Sequence, residues 1–255
     1  MTEIEKKYRL LLEILQGYGS AAIAFSGGVD STYLLAEALR WEADIKPYSA
    51  VTAFQPAFER REAEELCALL GTELTTVELD VLAVPHVAEN PADRCYYCKK
   101  AIFTALKERA AQDGYDLILD GTNASDDAGD RPGIRALREF GILSPLRLCG
   151  LTKAEIRRRS RELGLPTWDK PAYACLATRV PAGEPIDEEK LRRVEGAESA
   201  LRELGYSDLR VRLYHGAARL QLPGRQLEKA AREREALREA LKPWFDIVLL
   251  DLEER

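Results

Sequence analysis

Histidine is nearly absent: the 255 residues contain only His86 and His215, which excludes a metal site built from several histidines. Cysteine is scarce too. Five thiols, unevenly spaced, are too few for the disulfide framework of a secreted protein. No apolar run approaches the ~18 residues of a membrane-spanning helix, so no membrane partner is expected. Positive charge is not in surplus, since 37 Lys and Arg stand against 43 Asp and Glu for a net charge of −6. That argues against a nucleic-acid partner, which needs cations to neutralise phosphates. The opening MTEIEKKYRLLLEILQ reads as an amphipathic helix with acidic residues and not as a targeting peptide, so a cytoplasmic location is expected. The rest is ordinary for a globular protein able to bury a core, with 46% hydrophobic and 31% charged residues. At ~150 residues per domain, the length suits one large domain or two small ones.

Along the chain, short apolar runs alternate with helical patterns. Residues 21–25, 48–54, 73–79 and 115–119 read as strands, and 29–40, 59–70 and 102–111 as helices. Thr152 and Glu155 form a capping box that opens a helix running to about residue 163. This alternation implies an α/β domain with a mostly parallel sheet. Residues 166–185 carry four prolines and cannot form a regular helix. Beyond them the expected order is helix 187–204, a hairpin of 209–214 and 218–222, helix 225–241 and strand 246–252. That is a smaller C-terminal α+β unit. The domains are expected at 1–180 and 181–255.

The strongest chemical signal is Ser26-Gly27-Gly28-Val29-Asp30-Ser31 between a strand and a helix. Two glycines let backbone approach an anion closely, and N–H groups at a helix start face it. Ser26 and Ser31 add hydroxyl donors. Asp30 beside phosphates is repulsive unless a cation lies between them, which implies Mg²⁺. The chain has neither a GxxxxGK[ST] loop nor a GxGxxG turn. After the 115–119 strand, the segment 120–127 (DGTNASDD) should lie beside this loop, because ligands in open α/β sheets bind beyond the carboxyl ends of strands. Gly121, Thr122 and Asn123 are nucleotide contacts on this reading, with Asp126 or Asp127 helping to hold Mg²⁺. The plainer alternative is a solvated acidic loop.

Cys95 and Cys98 form a CxxC, which suits zinc, a redox pair, an iron–sulfur cluster or no ligand at all. One CxxC plus a distant cysteine, Cys175, has the stoichiometry of a [4Fe–4S] cluster with one iron open. Cys175 lies between Lys170 and Arg179, and nearby cations favour a nucleophilic thiolate. Cys67 falls on an apolar helical stripe and reads as core, and Cys149 has no assigned role. Arg210 and Arg212 share one face of a strand and suit phosphate or carboxylate, unless they are solvated strand charges.

SGGVDS resembles the PP-loop of the ATP pyrophosphatase superfamily. NPADRCYYCKKAIF, DGTNASDDAGDRPGIRAL, LTKAEIR and KPAYACLATRVPAGEPI follow it in an order similar to that of LarE, a family of ATP-dependent sacrificial sulfur transferases. The resemblance extends over most of the chain. It implies a PP-loop α/β fold and cleavage of ATP between its α and β phosphates. The substrate would be a small-molecule nucleotide, pyridinium-3,5-biscarboxylate mononucleotide, whose carboxylates become thiocarboxylates in building the nickel-pincer nucleotide of lactate racemase. Cys175 would either surrender its own sulfur or, with Cys95 and Cys98, hold a [4Fe–4S] cluster carrying an extra sulfide. Catalytic candidates are Cys175, Asp30 and Arg179, with Asp30 and Asp127 on Mg²⁺. Substrate candidates are Arg210, Arg212 and Glu198, the last resembling a family carboxylate near the active site. A homo-oligomer and other cofactor-biosynthesis proteins are the implied partners. Thr178 stands where the family commonly has Ser, and Gln221 where an acidic residue is usual.

Overall fold

The computed structural model describes residues 2–126 and 132–254. The chain divides into two compact units. One comprises Met1–Thr52, Ala57–Asp80 and Cys95–Ala172; the other comprises Ala53–Pro56, Val81–Arg94 and Tyr173–Arg255.

In the first unit, β1 (Ser20–Ala24), β2 (Asp44–Val51), β3 (Thr75–Glu78) and β4 (Ile118–Asp120) form a parallel sheet in the order β3-β2-β1-β4. The helices are α1 (Glu3–Gly17), α2 (Val29–Arg40), α3 (Ala57–Leu69), α4 (Arg94–Gln112), α5 (Pro132–Glu139), α6 (Pro145–Leu148) and α7 (Lys153–Glu162). Side chains alternate across β1. Ala21 and Ile23 join Leu11, Leu34, Leu35 and Ile156 in one buried cluster, while Ala22 joins Tyr48, Phe103, Leu106 and Ala110 in another. Both faces of the sheet are thus covered, as parallel sheets require. Full burial of Leu34 and Leu35, worth about 1.5–3 kcal/mol each, fixes α2 and with it the loop at its start. Strand β1 lies between β2 and β4, so chain order reverses there and a crevice opens beyond the strand ends.

The second unit contains α8 (Glu188–Glu203), β5 (Arg210–Tyr214), β6 (Ala217–Gln221), α9 (Gly224–Arg232), α10 (Arg234–Leu241) and β7 (Val248–Leu250). Strands β5 and β6 are antiparallel, and β7 runs parallel to β6. Leu191, Val194, Leu201, Val211, Leu220 and Leu241 form its buried interior.

Several elements differ from expectation. Helix α4 starts at Arg94 and not at 102, which puts Cys95 and Cys98 in its first turn. Strand β2 starts at Asp44 and takes in Pro47; β3 begins opposite Tyr48, so the absent Pro47 N–H costs no ladder bond on that side. The expected helix 225–241 is two helices, broken at Glu233 (φ −94, ψ 19). Helices α5 and α6 are additions. Within 166–185 the regular piece is a 3-10 turn, Leu176–Arg179. No described helix is long and apolar enough to cross a membrane.

Candidate active site

The loop after β1 is braced by its own hydroxyls. Ser26 Oγ lies 3.1 Å from Ser31 Oγ, Ser31 Oγ donates to the Gly28 carbonyl at 3.2 Å, and Gly28 N–H donates to Ser26 Oγ at 3.4 Å. Gly27 takes φ +67, and a Cβ there would meet Ala63 Cβ at 3.2 Å, so α3 presses on the loop from behind. Val29 is buried as the first residue of α2. Lys170 Nζ donates to the Gly27 carbonyl at 3.0 Å and pairs with Glu62 at 2.7 Å.

The loop after β4 touches the start of α2. A Cβ on Gly121 would lie 2.8 Å from Ser31 N and 3.1 Å from Ser31 Cα, so only glycine allows this approach. The buried Asp120 carboxylate shapes the loop: Oδ1 accepts from Thr122 N at 3.2 Å and Ser144 Oγ at 2.6 Å, and Oδ2 accepts from Thr122 Oγ1. Asn123, 1% exposed, accepts from Ser125 N at 2.8 Å, while its Nδ2 has no partner among the described residues. Asp126 Oδ2 accepts from Asn123 N at 2.9 Å, and Arg147 donates to the Asp126 carbonyl at 3.2 Å. Asp127 lies outside the described residues.

Asp30 occupies the first turn of α2. Its Oδ2 accepts from Lys153 Nζ at 2.5 Å, while Oδ1 is buried without a hydrogen-bond partner among the described residues. Burial raises the Asp30 carboxyl above its ordinary range, Lys153 opposes this, and the neighbouring Asp126 carboxylate adds to the rise. A buried, unpartnered carboxylate oxygen at the start of a helix next to an anion loop fits Mg²⁺. Sequence reasoning missed Lys153, Asp120 and Ser144. The signal for Lys153 was its place one residue after a capping Thr that follows the second loop.

In the second unit, Cys175 is exposed at the start of the 3-10 turn, and its carbonyl accepts from Thr178 N at 3.0 Å and Thr178 Oγ1 at 2.8 Å. Arg179 braces this turn. Its guanidinium donates to the Ala174 carbonyl at 3.1 Å, Thr178 Oγ1 at 2.9 Å, and Glu198 at 2.6 and 3.3 Å. Both charged side chains have 0% exposure. Burial alone would lower the Arg179 pKa, yet the Glu198 carboxylate raises it overall. Glu198 also accepts from Arg202, Tyr173 and Val211 N. Arg179 and Glu198 therefore face each other, and the remaining bonds of Arg179 hold the Cys175 turn. The flanking cations expected to favour the thiolate are engaged, Arg179 by Glu198 and Lys170 by Glu62.

The Asn90-Pro-Ala-Asp-Arg94 stretch braces the same turn. Asn90 Nδ2 donates to the Pro181 carbonyl at 2.8 Å and the Glu184 carbonyl at 3.1 Å. Arg94 donates to Asn90 Oδ1 at 2.6 Å and the Ala177 carbonyl at 3.0 Å. Leu176 N–H donates to the Phe54 carbonyl at 2.9 Å. Arg212 donates to the Thr178 carbonyl at 2.6 Å and to Gln221 at 2.5 Å, and Gln221 passes a bond on to Asp251 at 3.0 Å. Burial and neighbouring arginines lower both Arg210 and Arg212, and Arg210 Nε has no partner among the described residues. Crowded cations of this kind suit an anion.

Cys95 is exposed and Cys98 half-buried; at i and i+3 in the first turn of α4 they share one helix face. Among the described residues no three His, Cys, Asp or Glu side chains form a group able to hold a metal. Cys67 and Cys149 are buried, and burial pushes their thiols up to about 12 and about 11.

No family model matches the chain. An uncharacterised protein of Synechocystis sp. is 39% identical over 229 residues, covering 89% of this chain and 85% of that protein. Pyridinium-3,5-bisthiocarboxylic acid mononucleotide synthase of Lactiplantibacillus plantarum is 33% identical over 229 residues, covering 88% of this chain and 82% of the synthase. The tRNA-specific 2-thiouridylase MnmA of Frankia alni is 26% identical over 183 residues, covering 58% and 52%.

Proposed function

Because the chain belongs to the pyridinium-3,5-bisthiocarboxylic acid mononucleotide synthase (LarE) family, a PP-loop family of sulfur-transferring enzymes, we propose that it makes this thiocarboxylate nucleotide. It adenylates the carboxylates of pyridinium-3,5-biscarboxylate mononucleotide and replaces the activated oxygen by sulfur. The product enters nickel-pincer nucleotide assembly. The observation that carries this reading is the phosphate crevice, where Gly121 packs on Ser31 and Asp30 Oδ1 stands unpartnered among the described residues.

The substrate carboxylate attacks the α-phosphorus of ATP and pyrophosphate leaves. Backbone N–H groups at the start of α2 and the Ser26 and Ser31 hydroxyls hold the leaving phosphates. Asp30 would hold Mg²⁺, which when bound offsets the phosphate charge. Lys153 keeps Asp30 in place. Arg210 and Arg212 are the substrate's anion-binding residues. AMP then leaves as Cys175 Sγ attacks the acyl carbon, giving a thioester. Loss of the Cys175 Cα proton breaks the Cβ–S bond, leaving a thiocarboxylate on the substrate and dehydroalanine in the chain.

A second reading for the sulfur rests on Cys95 and Cys98 sharing the first turn of α4. With Cys175 they are the three thiolates of a [4Fe–4S] cluster with one open iron. The described residues as placed do not gather into such a site, and no step is derived through it. The exposed apolar residues Ile247, Leu249, Leu250 and Leu252 support a homo-oligomer.

The test is product analysis with ATP and the biscarboxylate nucleotide. AMP and pyrophosphate are expected, and ADP with phosphate would overturn the PP-loop chemistry. Intact mass after turnover assigns the sulfur. Loss of one H₂S from the chain supports Cys175. Unchanged mass with about four irons per anaerobically reconstituted chain supports the cluster.

A further inference from the structure

The first unit carries a groove of about 570 Å³ between α3 and the loop after α7. Its apolar wall is Leu66 and Leu69 of α3, with Pro166 opposite. Leu69 is 67% exposed. Glu62, Glu65 and Asp169 stand around it, and Lys170 is the cation among its described lining residues. Lys170 is already held by Glu62 and the Gly27 carbonyl. Glu65 and Asp169 are exposed, and neither has an ion-pair partner among the described residues, although Arg157 donates to the Trp168 and Lys170 carbonyls on either side of Asp169. Thr167 completes the lining. It is 3% exposed, yet its Oγ1 has no hydrogen-bond partner among the described residues. A buried hydroxyl without a partner normally costs free energy, and the residue that carries this one lines the groove.

We infer that this groove docks a basic polypeptide segment of a partner protein. An arginine of that segment lays its aliphatic stem on Leu66 and Leu69. Its guanidinium sits between Glu65 and Asp169 and donates one N–H to Thr167 Oγ1. Charge complementarity selects a cation, and the acidic rim repels nucleic acid. The exposed length of Leu69 calls for apolar residues beside the arginine, which a free polyamine lacks.

The test uses the full chain and a fluorescein-labelled peptide, Leu-Arg-Leu-Arg-amide, followed by fluorescence anisotropy. Saturable binding is expected, weakened about tenfold or more in the Glu65→Gln, Asp169→Asn double variant. Leu69→Ser should weaken it several-fold. Both variants are on the surface and should keep the parent's melting temperature and pyrophosphate release. Thr167→Val gives a smaller loss at equal charge. Three results would overturn the inference: no saturable binding, equal binding by the double variant, or equal binding of Ser-Arg-Ser-Arg-amide, which means charge alone. Full displacement by equimolar spermidine would transfer the groove to small polyamines and overturn the polypeptide partner.

Discussion

Lys153 Nζ donates to Asp30 Oδ2 at 2.5 Å across 123 residues of sequence. The bond ties the start of α7 to the start of α2, and the Lys153 backbone N–H donates to Ser125 Oγ at 3.0 Å. One lysine thereby joins the two loops that form the phosphate crevice. Lys153→Met leaves Asp30 without its cation in a partly buried place. Pyrophosphate release should fall about tenfold or more, the effect of losing a charge-assisted hydrogen bond, and Lys153→Arg should restore part of it. A Lys153→Met rate equal to the parent's would remove this role.

Gly121 sets the distance between those loops. In Gly121→Ala the new Cβ would sit 2.8 Å from Ser31 N, so backbone must move. A stability loss of about 1–3 kcal/mol is expected from overpacking, together with weaker ATP binding. Denaturant melts and calorimetric titration with ATP measure the two effects. A Cβ added at Gly183 would meet nothing within 4 Å, but the residue takes φ +86, so alanine there should cost stability alone.

The Arg179–Glu198 pair gives a stability test with a built-in control. Removing one partner strands a buried charge, so Arg179→Met or Glu198→Gln should cost about 3–5 kcal/mol. The Arg179→Met, Glu198→Gln double variant should cost less than the two single losses added together. Urea denaturation of all three chains decides this. Additive losses would mean that the two side chains do not act as a pair.

The thiols should separate by reagent and by pH. Iodoacetamide at pH 8 is expected to label Cys95 and Cys175 in the folded chain, leaving Cys67 and Cys149 until denaturant is added. Cys67 is raised from 9.0 to about 12 by burial. Below pH 9 it is neutral in both folded and unfolded chains, and its contribution to stability is fully present. As pH rises from 9 toward 12 only the unfolded chain ionises, and that contribution is lost. Chemical denaturation between pH 8 and 11 should show a steeper decline for the parent than for Cys67→Ala.

Much of the first unit was legible because its signals are local. The apolar run at 21–25, the glycine turn and the periodic helix 29–40 lie side by side, and β1 and α2 appear there within a residue or so. The Thr152 capping box was legible for the same reason, and Glu155 closes it as expected. The start of α4 was not, because Pro91 and the aromatic CYYC gave no helical stripe. The break at Glu233 was hidden by charged residues that suit a continuous helix equally well. At the candidate site, residue types could be read but their orientation could not. Arg179 and Glu198 lie 19 residues apart, and only the packing of α8 on the Cys175 turn turns them toward each other. Lys153 and Asp30 escaped for the same reason at a far greater separation.

The bonds that brace the Cys175 turn run from Arg94, Thr178 and Arg179 to the carbonyls of Ala174, Cys175 and Ala177. These bonds end on main-chain oxygens and do not use the Cys175 sulfur. If Cys175 gives up its sulfur, every one of these acceptors is still there, and the chain left behind is expected to stay folded and to go on binding nucleotide. Spent molecules then compete with fresh ones for the same nucleotides, and output would depend on how fast the cell clears or replaces them.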